Sequence, residues 1–278
     1  MENKEELYRV LADFVFKNTG IFYGERDYYR LDSRIDKMIR ESDVASEEEL
    51  LKSLKQSTDK EFLAKVIDVC TNNETFFFRD QNPFNALRDH ILPELLEKKK
   101  LNQLNIWSCA CSSGQEPLSI MMTIKEKYPD FSSISMEATD ISQTILEKAK
   151  SGIYNSLEAQ RGISIQLLIK YFDQVENNCW KVKSDLIDKI QYKPFNLFSE
   201  FYPSGKYDVL FCRNVLIYQN MENKNKILQK LFQALKPGGY LIMGAGESLI
   251  GSDIKLEQKT LSGTMVFYKQ DLNSFQAA

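Results

Sequence analysis

The chain has 278 residues, 43% of them apolar and 27% charged, with a formal net charge of -3. That length suggests one large domain plus a small one with ample core material, and the acidic balance disfavours a general nucleic-acid binder, so no nucleic-acid partner is expected. No apolar run is long enough to span a bilayer, and the N-terminus MENKEELYRV lacks the apolar centre of a signal peptide, so a cytoplasmic protein without membrane insertion is expected. The cysteines Cys70, Cys109, Cys111, Cys179 and Cys212 are odd in number and lie mostly in apolar stretches, as reduced buried thiols do. Cys109 and Cys111 have no second pair, and His90 is the only histidine, so no metal is expected.

Residues 1–71 read as helical throughout. Leu7, Val10, Leu11, Phe14 and Val15 follow helical spacing up to Gly20, and Leu31, Ile35, Met38 and Ile39 make a second stripe. Ser46 with Glu49, and Thr58 with Glu61, suggest two capping boxes. A linker and connecting helix are expected over 72–100, beginning with NNETFFFRD. Over 101–272 the pattern alternates strand with helix: LNIWSCA, the turn SSGQEP with Pro117 at a first helical position, ISMEATD, a helix, KIQYKPFNL, YDVLFCRNVLIY, a helix, the turn PGG and the strand YLIMGA. This predicts an α/β fold, a parallel sheet with helices on both faces, preceded by a small all-α domain. Residues 153–188 break the alternation and read as a small antiparallel insertion.

Such sheets bind ligands beyond the carboxyl ends of their strands, where strand order reverses. The first turn, ACSSGQEP, has one glycine, so it does not cradle a pyrophosphate; a ligand with a ribose and no phosphate fits better. Asp140 ends the second strand, where a carboxylate can accept from ribose hydroxyls or equally cap the next helix. Asn196 and Asn214 end the next two strands, and their amides can read a polar ligand edge or serve as turn residues.

The ordered segments NNETFFFRD, SCACSSGQEPLSI, ATDIS, EKAKSGIY, FNLF and FCRNVLIY, over roughly residues 5–269, resemble the CheR-type chemotaxis receptor methyltransferases, protein-glutamate O-methyltransferases. The resemblance implies a Rossmann-like S-adenosylmethionine-dependent methyltransferase sheet, the product S-adenosylhomocysteine, and methyl-accepting chemotaxis receptors as partners. It implies cofactor-binding roles for Asn73, Thr75, Arg79, Glu116, Asp140, Asn196, Leu197, Asn214 and Val215, and catalytic roles for Arg79 and Tyr218. It also implies receptor docking on a basic helix face bearing Arg30, Arg34, Lys37 and Arg40. Two departures stand out. The insertion's loop DQVENNCW lacks the family's glycine, so tethering to a receptor tail peptide is not expected. Ala245, Gly246 and Glu247 replace the family's His-Ser-Glu run, so no histidine chemistry is expected. A cofactor-binding module without catalysis, and a methyltransferase with another acceptor, remain open as alternatives.

Overall fold

The computed structural model describes residues 2–41 and 44–271, so the expected limits at 1 and 272 fall outside the described residues. Four helices come first: α1 (Glu2–Thr19), α2 (Tyr29–Glu41), α3 (Glu47–Gln56) and α4 (Lys60–Cys70). They close on a core of their own that includes Leu7, Leu11, Val15, Leu31, Ile35, Leu50 and Val66. Gly20 stops α1 as expected, with a left-handed φ of 75° that a glycine adopts without a Cβ penalty. Ser46 caps α3 by accepting from the Glu49 N–H. The cap of α4 is Asp59, which accepts from the Glu61 N–H, and not Thr58. A carboxylate next to the helix start outcompetes the hydroxyl before it, since it accepts the bond and opposes the helix dipole.

After the linker comes a helical stretch over 82–98, beginning with α5 (Asn82–Ala86) and continuing in π-helical turns, Leu87–Ile91 and Pro93–Lys98. Pro93 cannot donate a backbone bond, which favours the wider register around it. The α/β region follows: β1 (Leu104–Cys109), α6 (Gln115–Lys127), β2 (Ile134–Asp140), α7 (Gln143–Ser151), β3 (Ile153–Asn155), α8 (Ser156–Gln160), α9 (Ile165–Tyr171), β4 (Phe172–Val175), β5 (Cys179–Val182), α10 (Ser184–Ile187), β6 (Ile190–Pro194), β7 (Tyr207–Cys212), α11 (Met221–Ala234), β8 (Leu235–Met243), β9 (Glu257–Leu261) and β10 (Thr264–Tyr268).

The large sheet has the order β6-β2-β1-β7-β8-β10-β9. Its strands from β6 to β8 are parallel, and β10 and β9 close one edge antiparallel. Successive strands run outward from β1 in one direction and resume at β7 on its other side, so the reversal of order lies between β1 and β7. Strands β1 and β7 are apolar and buried almost throughout, as a sheet covered on both faces demands. β3, β5 and β4 form the separate antiparallel sheet of the insertion. Its hairpin turns at Asn177 and Asn178, both left-handed, a conformation asparagine tolerates better than most residues.

Two local expectations change. Pro117 is the third residue of α6, which starts at Gln115 because Gly114, at φ 91°, makes the turn. The PGG segment lies inside β8: Leu235 already pairs with Tyr207, and pairing resumes only at Val209 with Tyr240, so residues 236–239 bulge from a continuous strand. The linker phenylalanines are packing residues of two kinds. Phe77 is fully buried, with its ring 5.2 Å from Tyr154 and 5.4 Å from Phe172, and Phe78 lies 5.2 Å from Phe84. Each such burial contributes about 1.5–3 kcal/mol. Phe76 is only half-buried.

Candidate active site

The ends of β1, β2, β6 and β7 open into one cleft. The linker covers it from one side, and the end of α1 reaches it through Thr19 and Ile21. All ten residues expected to bind cofactor or act in catalysis line it: Asn73, Thr75, Arg79, Glu116, Asp140, Asn196, Leu197, Asn214, Val215 and Tyr218. The four basic residues of α2 do not. Arg30 and Arg40 are exposed, Lys37 sits 3.8 Å from Glu41, and Arg34 donates to the Val69 carbonyl at 2.8 Å, which makes it a brace for the end of α4.

The first turn shows why it needs so few glycines. Ala110, Ser112 and Gly114 all have left-handed φ, and for the two non-glycine residues this costs roughly 1–2 kcal/mol each. Bonds hold the strained turn in place. The Cys111 N–H donates to the Thr139 carbonyl at 2.8 Å, and the Ser112 N–H to Asp140 Oδ2 at 2.8 Å. Ser112 Oγ donates to the Asn73 carbonyl at 2.7 Å and so pins the linker over the turn. A Cβ on Gly114 would stand 3.0–3.2 Å from Ala149, Tyr192 and Tyr154, so the site is closed to larger residues.

Asp140 is only 5% exposed. Its second oxygen accepts from the Ser142 N–H at 3.0 Å, and Ser142, not Asp140, caps α7. Burial pushes the Asp140 carboxyl above its ordinary pKa against the lowering effect of the backbone N–H bonds. With a backbone bond on each oxygen, the carboxylate can accept further bonds from the cleft side, which suits donors such as vicinal hydroxyls.

Asn196 lines the cleft, but its amide is engaged elsewhere. It donates to the Asn18 carbonyl at 2.7 Å and accepts from the Phe198 N–H at 3.0 Å. The side chain expected to meet a ligand therefore joins the end of β6 to α1. Asn214 is left-handed, at φ 58°, as a turn residue would be. Tyr218 accepts a 2.8 Å bond on its hydroxyl from the Asn72 amide. Arg79 donates to the Glu74 carbonyl at 2.9 Å and lies 5.8 Å from the Phe76 ring centre.

Two residues that organise the cleft escaped the sequence reading. The Arg213 side chain is 2% exposed and bonds Glu116 at 2.9 Å, Asp80 at 2.9 Å and the Arg79 carbonyl at 2.8 Å. Glu116 also accepts from Ser108 at 2.7 Å, so its carboxylate is tied on both oxygens. Glu247, 4% exposed, accepts four backbone N–H groups: Asn214 at 2.9 Å, Gly244 at 2.8 Å, Val215 at 3.0 Å and Leu216 at 2.7 Å. One carboxylate thus fixes the loop that carries two cleft residues and leads into Tyr218. A charged residue directly after the buried strand YDVLFC, and a lone glutamate after GAG, were the available signals.

The cleft fits S-adenosylmethionine. It offers a free-edged carboxylate at the end of β2, apolar walls from Phe195, Leu197 and Val215, and no glycine-rich cradle for phosphate. Comparison with known proteins agrees. Residues 73–265 match the family model described as CheR methyltransferase, SAM binding domain. A chemotaxis protein methyltransferase of Vibrio parahaemolyticus is 38% identical over 257 residues, covering 91% of this chain and 93% of that protein. Chemotaxis protein methyltransferase Cher2 of Pseudomonas putida is 39% identical, covering 88% and 90%. A chemotaxis protein methyltransferase of Borreliella burgdorferi is 34% identical, covering 90% of each. With that match spanning the linker, the first turn and all the strand ends around the cleft, the chain belongs to the CheR methyltransferase family and is an S-adenosylmethionine-dependent methyltransferase.

Proposed function

We propose that the protein methylates glutamate side chains of methyl-accepting chemotaxis receptors, forming the methyl esters used in sensory adaptation. The observation that carries this reading is the convergence of Arg79, Tyr218 and the cofactor-binding candidates on one cleft. In this reading Asp140 accepts from the ribose hydroxyls, Asn73, Thr75, Arg79, Glu116, Asn214 and Val215 line the rest of the cofactor, and Asn196 and Leu197 act mainly through their backbone and apolar wall. S-adenosylmethionine, when bound, supplies a methyl group made electrophilic by its sulfonium charge.

A glutamate carboxylate is ionised at neutral pH, well above its pKa of about 4.3, so the chain needs no general base. Its task is to bring that carboxylate into a partly dry cleft in line with the methyl group, and such orientation can contribute roughly 7–11 kcal/mol. Arg79 offsets the desolvation of the incoming anion by a charge-assisted bond. Tyr218 already accepts from Asn72, which leaves its own O–H to donate to the oxygen that does not react.

The N-terminal helical region, residues 1–71, serves receptor docking through the exposed cations of α2, and the catalytic region follows the linker at 72–100. The β4–β5 hairpin, a tight turn at Asn177 and Asn178, supports an enzyme that does not depend on a receptor tail peptide. The test is transfer of tritiated methyl groups to receptor-containing membranes, followed by treatment with base. Release of labelled methanol is the expected result and marks an ester; label that survives base points to a nitrogen or carbon acceptor.

A further inference from the structure

Outside the cleft lining, one cation stands at its mouth with no assigned role. Arg161 follows α8 in the insertion, and its guanidinium carbon lies 4.3 Å from the Phe76 ring centre. Its Nη2 is 3.0 Å from the Glu74 carboxylate, with side-chain exposures of 54% for Arg161 and 58% for Glu74. Phe76 and Glu74 line the cleft, and Arg79 stands by the same ring and bonds the same residue's carbonyl. Two guanidiniums therefore share one aromatic platform where an anionic acceptor must enter.

The placement of Arg161 is built in. Gly162 has φ 87°, and a Cβ there would lie 1.9 Å from the Phe77 carbonyl oxygen. Only glycine permits that approach, and it presses the neighbouring Arg161 against the linker. The Glu74 bond does not immobilise Arg161, because exposed ion pairs are worth about 0–1 kcal/mol. A carboxylate from outside can replace Glu74 at little net cost, and stacking on Phe76 holds the guanidinium meanwhile.

We propose that Arg161 is a specificity-determining residue: it exchanges Glu74 for an acidic side chain flanking the acceptor glutamate, while Arg79 receives the acceptor itself. The proposal deepens the receptor-glutamate reading and rests on it. On a helical substrate the partner is an acidic residue one turn from the acceptor, since residues three and four apart are neighbours there. Glu74 then acts as an internal competitor that keeps non-acidic surfaces from using the site.

The experiment is steady-state methylation of receptor-containing membranes, with S-adenosylhomocysteine affinity measured by calorimetry on the same samples. Arg161→Ala should raise KM for receptor about fivefold, the size of one exposed charge contact, with kcat and S-adenosylhomocysteine affinity unchanged. Arg161→Lys should recover part of the loss. Glu74→Gln should lower KM, because it removes the competitor, and should have no effect in the Arg161→Ala background. If Glu74→Gln raises KM as Arg161→Ala does, the pair is a structural brace and the proposal fails; it fails equally if Arg161→Ala leaves KM unchanged. A wild-type protein that binds S-adenosylhomocysteine but transfers no methyl group to receptors refutes the functional reading itself, and the proposal with it.

Discussion

Arg213 and Arg79 are the same side chain in two settings, and the contrast explains how the cleft divides its work. Arg213 lies at the floor, almost without exposure, with two acidic partners and a carbonyl. Arg79 lies at the rim, half-buried, with one carbonyl partner. A buried charge is tolerated only when its partners replace most of the lost water. Both terminal nitrogens of Arg213 are bonded within the protein, and its Nε–H alone lacks a partner among the described residues, so this guanidinium chiefly holds shape. A more exposed one costs the fold little and keeps more donors for a substrate. The two are also connected, because Arg213 bonds the backbone carbonyl of Arg79 itself. The floor thereby sets where the rim cation stands.

The largest expected effect comes from breaking the floor. Arg213→Met leaves Glu116 buried beside an apolar side chain, and removing one partner of a buried pair typically costs about 3–5 kcal/mol. For a region of this size the unfolding midpoint should drop on the order of 10 °C, with S-adenosylhomocysteine binding lost. Adding Glu116→Gln should restore part of the midpoint; a single variant as stable as wild type would erase the distinction between floor and rim. Glu247→Ala comes next. It strips four backbone donors of their acceptor, and even with water entering, on the order of 3 kcal/mol should be lost. Hydrogen exchange should rise at Asn214, Val215 and Leu216 more than elsewhere in the sheet.

These two residues also mark where the sequence was hard to read. Asp140 and Asn214 are legible because strand ends are visible in the hydrophobic pattern and the ligand lies beyond them, whereas Tyr218 is implied only by the family resemblance. Arg213 has no readable role within CRNVLIY, because its partners Asp80 and Glu116 are 133 and 97 residues away. No local pattern encodes such a pairing. Glu247 reads in the sequence only as the last residue of a run that lacks its histidine, since its partners are backbone N–H groups and leave no trace in residue identity. The cap at Asp59 instead of Thr58 is a local competition between adjacent side chains, whereas the PGG bulge inside β8 is held by distant partners, Lys99 and Lys269 on Gly238. Asn196 shows the reverse error, a residue whose position was read correctly and whose amide α1 had already taken.

At the rim, Arg79→Ala should leave the unfolding midpoint nearly unchanged, since its one protein partner is an accessible carbonyl. Methyl transfer should fall about 10–100-fold, the size of one charge-assisted bond, with a smaller loss of S-adenosylhomocysteine affinity. Unaltered turnover on receptor would remove Arg79 from the reaction. Asp140 is intermediate between floor and rim, buried but raised in pKa by that burial. A carboxyl whose folded pKa lies above its unfolded value stabilises the fold below the unfolded pKa, and that contribution is lost as pH rises through the folded one. At neutral pH the ionised group therefore costs stability, and ligand hydroxyls offset the cost. Asp140→Asn should keep or raise the midpoint of the ligand-free protein while weakening S-adenosylhomocysteine binding about tenfold or more. Wild-type affinity should decline as pH falls through the raised pKa, and the Asn variant should show no such decline.

The smallest effect belongs to α2, where the same contrast recurs on one helix. Arg34 is a brace, donating to the Val69 carbonyl, whereas Arg30 and Arg40 are exposed and Lys37 has only a distant contact with Glu41. Reversing Arg30, Lys37 and Arg40 to Glu together should leave the midpoint within about 0.5 kcal/mol of wild type, as surface changes usually do. Receptor methylation should fall several-fold at low salt and converge on wild type at high salt, because exposed charges beyond about 10 Å are screened at 0.1 M. Arg34→Glu should instead lower the midpoint by about 1 kcal/mol equivalent at any salt, since it removes a hydrogen bond from the end of α4. A triple reversal that is indifferent to salt would reduce the basic face to a solvated surface, and receptor recognition would then rest on the cleft mouth alone.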